Sequence, residues 1–349
     1  MTDPPHPASP AAAPSSPAGA PDPGPTPATA PAPALASAAR AETLAESVRR
    51  TLTDEPQRWL SPKWFYDDLG SVLFDAITRL PEYYPTRRER AILQARATEI
   101  ATASGADTLV ELGSGTSEKT RLLLDAFTAT GQLRRFCPLD VSGTTLAAAA
   151  EVIAAAHPGL EVHPVEGDFL HDLDRIPAGG RRLVVFLGGT IGNLTPEEQG
   201  RFLDRVSATL APGDGLLLGT DLVKDVERLL AAYDDAVGVT AAFDRNVLAV
   251  LNRELGADFD LPHWRHESRW DAERERVEMH LVAAAGQLVH IPGAGLEIKV
   301  EEGESIQTEI SSKFRVDRLP ALLAPAGFDV ASTWTDPDGD FALTLAVRR

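Results

Sequence analysis

From about residue 88 to residue 223, short and almost continuous apolar runs alternate with longer stretches of helical spacing. The runs are Thr108-Leu109-Val110-Glu111-Leu112, Phe136-Cys137-Pro138-Leu139-Asp140, Leu183-Val184-Val185-Phe186-Leu187 and Leu216-Leu217-Leu218. Strands covered on both faces read this way, because neither face has to meet water, and helices between such strands produce a parallel sheet. The pattern predicts a doubly wound α/β domain. The C-terminal end reads as a return to the same sheet. A helix is expected over 319–326 and a strand over 328–334, then a turn at Asp336-Pro337-Asp338-Gly339 and a last strand over 341–347.

The block between these parts is different. It carries a helical stretch over 224–233 and alternating strands such as 276–282 and 306–310. Upstream, Leu44, Val48 and Leu52 recur at steps of four and predict a helix over 41–53. The expected organisation is a tail over 1–40, a second α+β substrate-binding lobe built from 41–87 and the insert 224–312, and a main domain from 88–223 and 313–349. No internal repeat is visible.

Composition narrows the function. The first forty residues hold 12 Pro and 13 Ala, with no Lys or Arg before Arg40. Proline at that density blocks helix and alanine offers little surface to bury, so a disordered tail, dispensable for turnover, is expected. It also lacks the basic start and unbroken apolar stretch of a secretory signal. The 349 residues carry a net charge of -18, which argues against a phosphate backbone as partner. No apolar run approaches the roughly 20 residues that span a bilayer. A single Cys137 rules out a disulfide framework and a multi-cysteine zinc site. A cytoplasmic monomer without metal, acting on a small molecule, is the expectation.

The sharpest local signal is Glu111-Leu112-Gly113-Ser114-Gly115-Thr116-Ser117-Glu118-Lys119-Thr120, which follows a strand and opens a helical run over 121–127. Glycines there let the backbone turn tightly against a ligand, although a purely structural turn would use them too. A dinucleotide fingerprint wants a third glycine where Glu118 stands, and an acid at a helix start repels a pyrophosphate. S-adenosylmethionine carries no phosphate and meets no such conflict. Asp140 ends the next strand, where a carboxylate can accept from both ribose hydroxyls. Gly167-Asp168-Phe169 follows a strand-like 161–165 and suits an adenine, with the carboxylate on its amino group and the ring beside the base. Order and spacing favour a class I, Rossmann-like S-adenosylmethionine-dependent methyltransferase domain over an NAD-binding one. After the fourth strand comes Phe186-Leu187-Gly188-Gly189-Thr190-Ile191-Gly192-Asn193-Leu194. The amide of Asn193 can hold an amine and a carboxylate together; its plain alternative is a cap for the helix starting near Pro196.

Longer segments carry a resemblance: Lys63-Trp64-Phe65-Tyr66-Asp67, Leu80-Pro81-Glu82-Tyr83-Tyr84-Pro85-Thr86-Arg87, the 111–125 loop and helix, Thr190-Ile191-Gly192-Asn193-Leu194, Leu218-Gly219-Thr220-Asp221-Leu222-Val223-Lys224-Asp225 and residues 246–260. Over roughly residues 50–348 the chain resembles the L-histidine Nα-methyltransferases of ergothioneine biosynthesis, which make the trimethylated betaine hercynine. The resemblance implies that Gly113, Lys119, Asp140, Asp168 and Phe169 contact S-adenosylmethionine. It further implies that Tyr83, Asn193 and Tyr233 hold the histidine carboxylate and amino group, and that Tyr66, Phe74 and Gly188 surround the reacting nitrogen. Glu309 and Ser311 would read the imidazole, with Met279 packing nearby and Ile310 counted among the substrate-binding residues. Tyr66 is expected to relay the amine proton, which makes Tyr66 and Asn193 the catalytic pair. Two departures are the Pro/Ala tail and Gly189, where family members can carry serine.

Read without the family, residues 309 and 311 of a strand share a face, and a carboxylate and a hydroxyl so placed can grip both nitrogens of an imidazole. A solvated edge would look the same. Three of the four tyrosines fall at 66, 83 and 84, where half-buried packing is the ordinary role. His263-x-x-His266 lacks a third metal ligand, Cys137 sits in a buried strand as an inert thiol, and Glu301-Glu302-x-Glu304 is a solvated turn. Three readings follow: Nα-trimethylation of histidine, the same reaction on another amino acid such as a tryptophan derivative, or a non-catalytic binding module. An apolar residue at 309 would favour the second, and a damaged cofactor loop the third.

Overall fold

The computed structural model describes residues 42–115 and 117–349, so the expected tail lies outside the described residues. Its central sheet contains β1 (Thr108–Leu112), β2 (Arg135–Asp140), β3 (Glu161–Val162), β4 (Val165–Glu166), β5 (Arg182–Phe186), β6 (Gly215–Asp221), β12 (Phe328–Thr335) and β13 (Phe341–Arg348). The order is β12-β13-β6-β5-β1-β2-β3, with β4 also on β2; β13 alone runs antiparallel to its neighbours. This is the doubly wound sheet of the class I methyltransferase fold, closed by the expected C-terminal hairpin.

Alternation along the strands explains the continuous apolar runs. Leu109, Phe136, Leu183, Val185 and Leu217 face α3 (Pro85–Ser104) and α4 (Thr120–Ala129). Val110, Leu112, Leu139, Val184, Phe186 and Leu216 pack with α6 (Pro196–Thr209) and α9 (Leu319–Leu323) on the other side. Both faces are dry, and α5 (Gly143–Ala156) adds Ile153 to the first.

A separate apolar cluster draws on residues 48–84 and 229–306. It contains α1 (Leu44–Thr51), α2 (Asp68–Ile77), α7 (Val226–Tyr233) and α8 (Val239–Leu255). With them come a three-stranded antiparallel sheet, β11 (Ser305–Ser312), β8 (Arg276–Ala283) and β7 (Trp264–Asp271), and the hairpin of β9 (Gln287–Ile291) and β10 (Leu296–Val300). The end of β11 runs into the carboxyl edge of the central sheet: the Phe314 N–H donates to the Asp221 carbonyl at 2.8 Å and the Val223 N–H to the Phe314 carbonyl at 3.0 Å. That junction brings β11 beside the loop after β5.

Several boundaries differ from the sequence reading, each for a local reason. The helix expected over 41–53 is Leu44–Thr51, fixed by a capping box between Thr43 and Glu46. The one over 224–233 starts at Val226, because the Asp225 side chain accepts the Arg228 N–H and caps it. The helix over 319–326 stops at Leu323: Ala324 is still helical, but Pro325 has no N–H to continue the ladder. The strand over 161–165 is split into β3 and β4 around Pro164, which has no N–H to give the ladder. Among the described residues no helix is long and apolar enough to cross a membrane.

Candidate active site

The glycine-rich loop leaves β1 with Gly113 and Gly115 in left-handed backbone, at φ 66° and 48°. Ser117 also has positive φ, 49°, without being glycine. A buried carboxylate anchors this segment: the Ser117 hydroxyl donates to Glu111 Oε2 at 2.7 Å and Thr120 Oγ1 to Oε1. Burial pushes the Glu111 carboxyl up to about 7. At the end of β2, Asp140 accepts the Gly115 N–H at 2.7 Å and the Ser142 N–H at 2.9 Å, one on each carboxylate oxygen. Each oxygen keeps acceptor capacity, so the side chain ties two loops together and still fits a vicinal diol. Asp168 follows β4, its Oδ1 accepting the Leu170 N–H at 2.8 Å, and the Phe169 ring lies against Phe186 and Phe202 at 5.1 and 5.8 Å. Glu118 is turned away onto Arg90 at 2.6 Å.

Lys119 changes the picture drawn from sequence. Its ammonium is bonded to Glu89 of α3, whose side chain is fully buried. The same carboxylate accepts the Gly188 N–H at 2.8 and 3.0 Å. Glu89 therefore joins the cofactor loop to the loop after β5, and Lys119 and the Gly188 N–H already have a protein partner. A Cβ on Gly219 would lie 2.4 Å from the Glu89 carboxylate, which explains the glycine there. Nothing in the spacing of the sequence pointed to Glu89.

Across from these loops the expected substrate residues converge. Asn193 does not cap the following helix; Thr195 does, in a capping box with Glu198. The Asn193 amide instead donates from Nδ2 to Glu309 Oε1 at 2.7 Å. Two residues along β11, Ser311 Oγ lies 2.8 Å from the Tyr233 hydroxyl. Met279 of β8 is buried directly opposite Glu309 in the strand register. Ile310 alternates to the other face of β11, which leaves it only its backbone to offer this group. The aromatic wall is Tyr66 against Phe74 and Phe243, both at 5.5 Å, Phe74 against Tyr83 at 6.4 Å and Tyr83 against Tyr233 at 6.1 Å. Tyr66, 43% exposed, is the open end of this wall.

Electrostatics fix the protonation of this wall. Burial, reinforced by Glu309, holds the Tyr66 and Tyr83 phenols well above their ordinary range; burial and Asp221 do the same to Tyr233. All three are neutral hydroxyls near pH 7. Burial, followed by the nearby Asp244 carboxylate, pushes Glu309 up to about 8, against the pull of Lys313 and His266. Lys313, two residues beyond Ser311, had no place in the sequence reading. It is paired with the buried Asp221 at 2.9 Å. Burial would raise Asp221, but Lys313 and Lys224 outweigh it and hold the carboxyl below its ordinary range.

His266 stands behind Tyr233. Its Nε2 lies 2.8 Å from the Tyr233 carbonyl, which only accepts, and its Nδ1 lies 2.6 Å from Asp244. Both nitrogens therefore donate and no lone pair is left for a metal. Burial would lower this imidazole, but the Asp244 carboxylate and the carbonyl raise it above its ordinary value. A raised pKa contributes stability that is fully present below the unfolded value of about 6.5 and is lost as pH rises through the folded one. Urea midpoints should accordingly fall with rising pH above about 6.5, and His266→Gln should lack that component; parallel pH profiles for the two proteins would contradict the protonated ring. His263 is exposed and bonded to Asp260 at 2.7 Å. Asp336, Asp338 and Asp340 place three oxygens within 4.8 Å of one another, and Arg88 and Arg228 pair with them.

The family described as histidine-specific, SAM-dependent methyltransferase matches residues 44–348. The histidine N-alpha-methyltransferase of Mycolicibacterium smegmatis is 58% identical over 308 residues, covering 88% of this chain and 96% of the relative. Its namesake from Mycobacterium tuberculosis is 56% identical, covering 83% and 90%. Ergothioneine biosynthesis protein 1 of Neurospora crassa is 31% identical over 288 residues, 80% of this chain but 32% of that longer protein.

Proposed function

Because the chain belongs to the histidine-specific, S-adenosylmethionine-dependent methyltransferases, we propose that it methylates the α-amino nitrogen of free L-histidine three times, giving hercynine, as a step of ergothioneine biosynthesis. The observation that carries the substrate is the pairing at β11: Glu309 held by Asn193 and Ser311 held by Tyr233, a carboxylate and a hydroxyl on one strand face. Asn193 and Glu309 satisfy one another until a ligand with matching groups replaces the bond, while Ser311 and Tyr233 stay paired and still offer a ligand one hydrogen and one lone pair.

S-adenosylmethionine, when bound, supplies an electrophilic methyl on its sulfonium. The residues that fit its other parts are Asp140 for the ribose hydroxyls, Asp168 and Phe169 for the adenine, and the Gly113 turn for close backbone approach. Lys119 acts on the loop through Glu89 rather than as a free cation. Methyl transfer is an in-line displacement, so much of the rate comes from holding the amine neutral and aligned. Asn193, Tyr83 and Tyr233 hold the amino acid's carboxylate and amine. Tyr66 and Phe74 close the space round the nitrogen, where an aromatic face favours a methylated ammonium by roughly 0.5–2 kcal/mol. Tyr66 relays the amine proton only by giving up its own as it takes one, because its phenol is neutral. The body built on residues 48–84 and 229–306 is the substrate lobe in this reading. The single Cys137 favours a reducing cytoplasm as the enzyme's location.

Mass spectrometry of a reaction with S-adenosylmethionine and an equimolar panel of free amino acids tests this. Trimethylhistidine should dominate. Methylation of another amino acid would overturn the roles of Glu309 and Ser311, and no methylation by folded, cofactor-binding protein would leave a binding module.

A further inference from the structure

The buried ammonium of Lys313 gives all three of its hydrogens to protein. They go to Asp221 Oδ2 at 2.9 Å, to the Tyr233 hydroxyl at 2.8 Å and to Ser311 Oγ at 2.7 Å. None is left for a ligand, and the side chain is fully buried. The two hydroxyl oxygens it grips are themselves 2.8 Å apart. Two hydroxyls have two hydrogens, and one is spent between them. A ligand therefore meets one outward hydrogen on one oxygen and one spare lone pair on the other. Two outward donors would leave the oxygens facing each other at 2.8 Å with no hydrogen between.

We propose that Lys313 is a positioning residue that sets substrate specificity by locking Tyr233 and Ser311 into a single unit with one donor and one acceptor. The inference rests on the histidine reading above. An amino-acid carboxylate has no hydrogen to give, so it takes the outward hydrogen of Tyr233. Ser311 then turns its own hydrogen onto Tyr233 and presents a lone pair, which asks the ligand ring for an N–H. The clamp makes Ser311 reject a ring that only accepts. Besides Tyr233, the titratable groups facing Lys313 are Asp221, which it shares with Lys224, and Glu309.

The test compares kcat/KM for histidine with that for β-(4-thiazolyl)alanine, whose ring keeps a bare nitrogen and has sulfur in place of N–H. In Lys313→Met the hydroxyls can separate and both donate, so the histidine-to-thiazolylalanine ratio should fall about tenfold, the scale of one hydrogen bond. Lys224→Met removes the other ammonium from the same Asp221 without touching either hydroxyl, and should keep the ratio within about threefold of the unsubstituted protein. A purely structural role would lower both substrates together and leave the ratio unmoved. An unchanged ratio in Lys313→Met, or an equal fall in Lys224→Met, overturns the clamp. Should Lys313→Met fail to fold, Tyr233→Phe serves instead: it frees the Ser311 hydrogen and should lower the ratio similarly, and an unchanged ratio there counts against the clamp. If the unsubstituted protein methylates neither compound, the histidine reading itself fails and takes the clamp with it; if histidine is methylated and the ratio does not respond, only the clamp fails.

Discussion

Glu309→Ala should lower kcat/KM for histidine by about 10³–10⁴-fold while leaving the affinity for S-adenosylhomocysteine within about threefold. A site built to hydrogen-bond a polar ring loses that much when its own partner is removed, because a polar group is then left buried and unpaired. Here the group left unpaired in the complex is a ring nitrogen, now buried against the apolar space that Glu309 filled; the Asn193 amide, which donates to Glu309 at 2.7 Å in the free protein, passes to the ligand. The cofactor side should not feel the change, since Asp140 ends β2, Asp168 follows β4, and each carboxylate is held by backbone N–H groups. Steady-state kinetics and calorimetry measure the two effects separately, and equal losses in both would mean a misfolded variant or a wrong assignment. The same carboxyl has a stability signature. Its folded pKa, about 8, lies above the ordinary 4.5, so folding opposes its ionisation. The stability it contributes is present at low pH and declines between about 4.5 and 8. Glu309→Gln should lack this decline, gaining stability over the unsubstituted protein as pH rises to 8.

β1, β2, β5 and β6 were legible because each is buried on both faces, and such runs need no long-range information to be recognised. α8 was not, although it is 17 residues long. Its buried face includes Thr240, Asp244 and Asn246, which break the apolar period. Each of the latter two is buried only because a distant group receives it: His266 binds Asp244, and Asp67 with the Phe65 carbonyl takes the Asn246 amide. The site divides the same way. Glu309 and Ser311 could be placed on one face from alternation, and Asp140 and Asp168 from their positions after strands. Alternation would also have put Lys313 on that face, but no motif attached a function to it, and its three partners come from β6, α7 and β11. The resemblance gives Lys119 to the cofactor and Gly188 to the space round the reacting nitrogen. Their common partner is a single glutamate, 30 residues before one and 99 before the other.

That glutamate should be the most damaging position to alter outside the ligand-contacting set. Glu89 is fully buried on α3, yet it carries a charge satisfied by Lys119 and by the Gly188 N–H. Removing one partner of a buried ion pair typically costs about 3–5 kcal/mol, because the other charge stays behind. The Lys119 side chain is 23% exposed and can recover some hydration, so Glu89→Ala should fall near the lower end, about 3 kcal/mol in denaturant unfolding. Its functional effect should differ in kind from that of Glu309. The carboxylate ties the cofactor loop to the acceptor loop, so KM for S-adenosylmethionine and for histidine should rise together, each by about tenfold or more. Glu89→Gln keeps an oxygen for the Gly188 N–H but loses the charge that holds Lys119. It should therefore spare histidine more than the cofactor. A Glu89→Ala protein that is destabilised but keeps both KM values would show that the carboxylate supports the fold without linking the two loops.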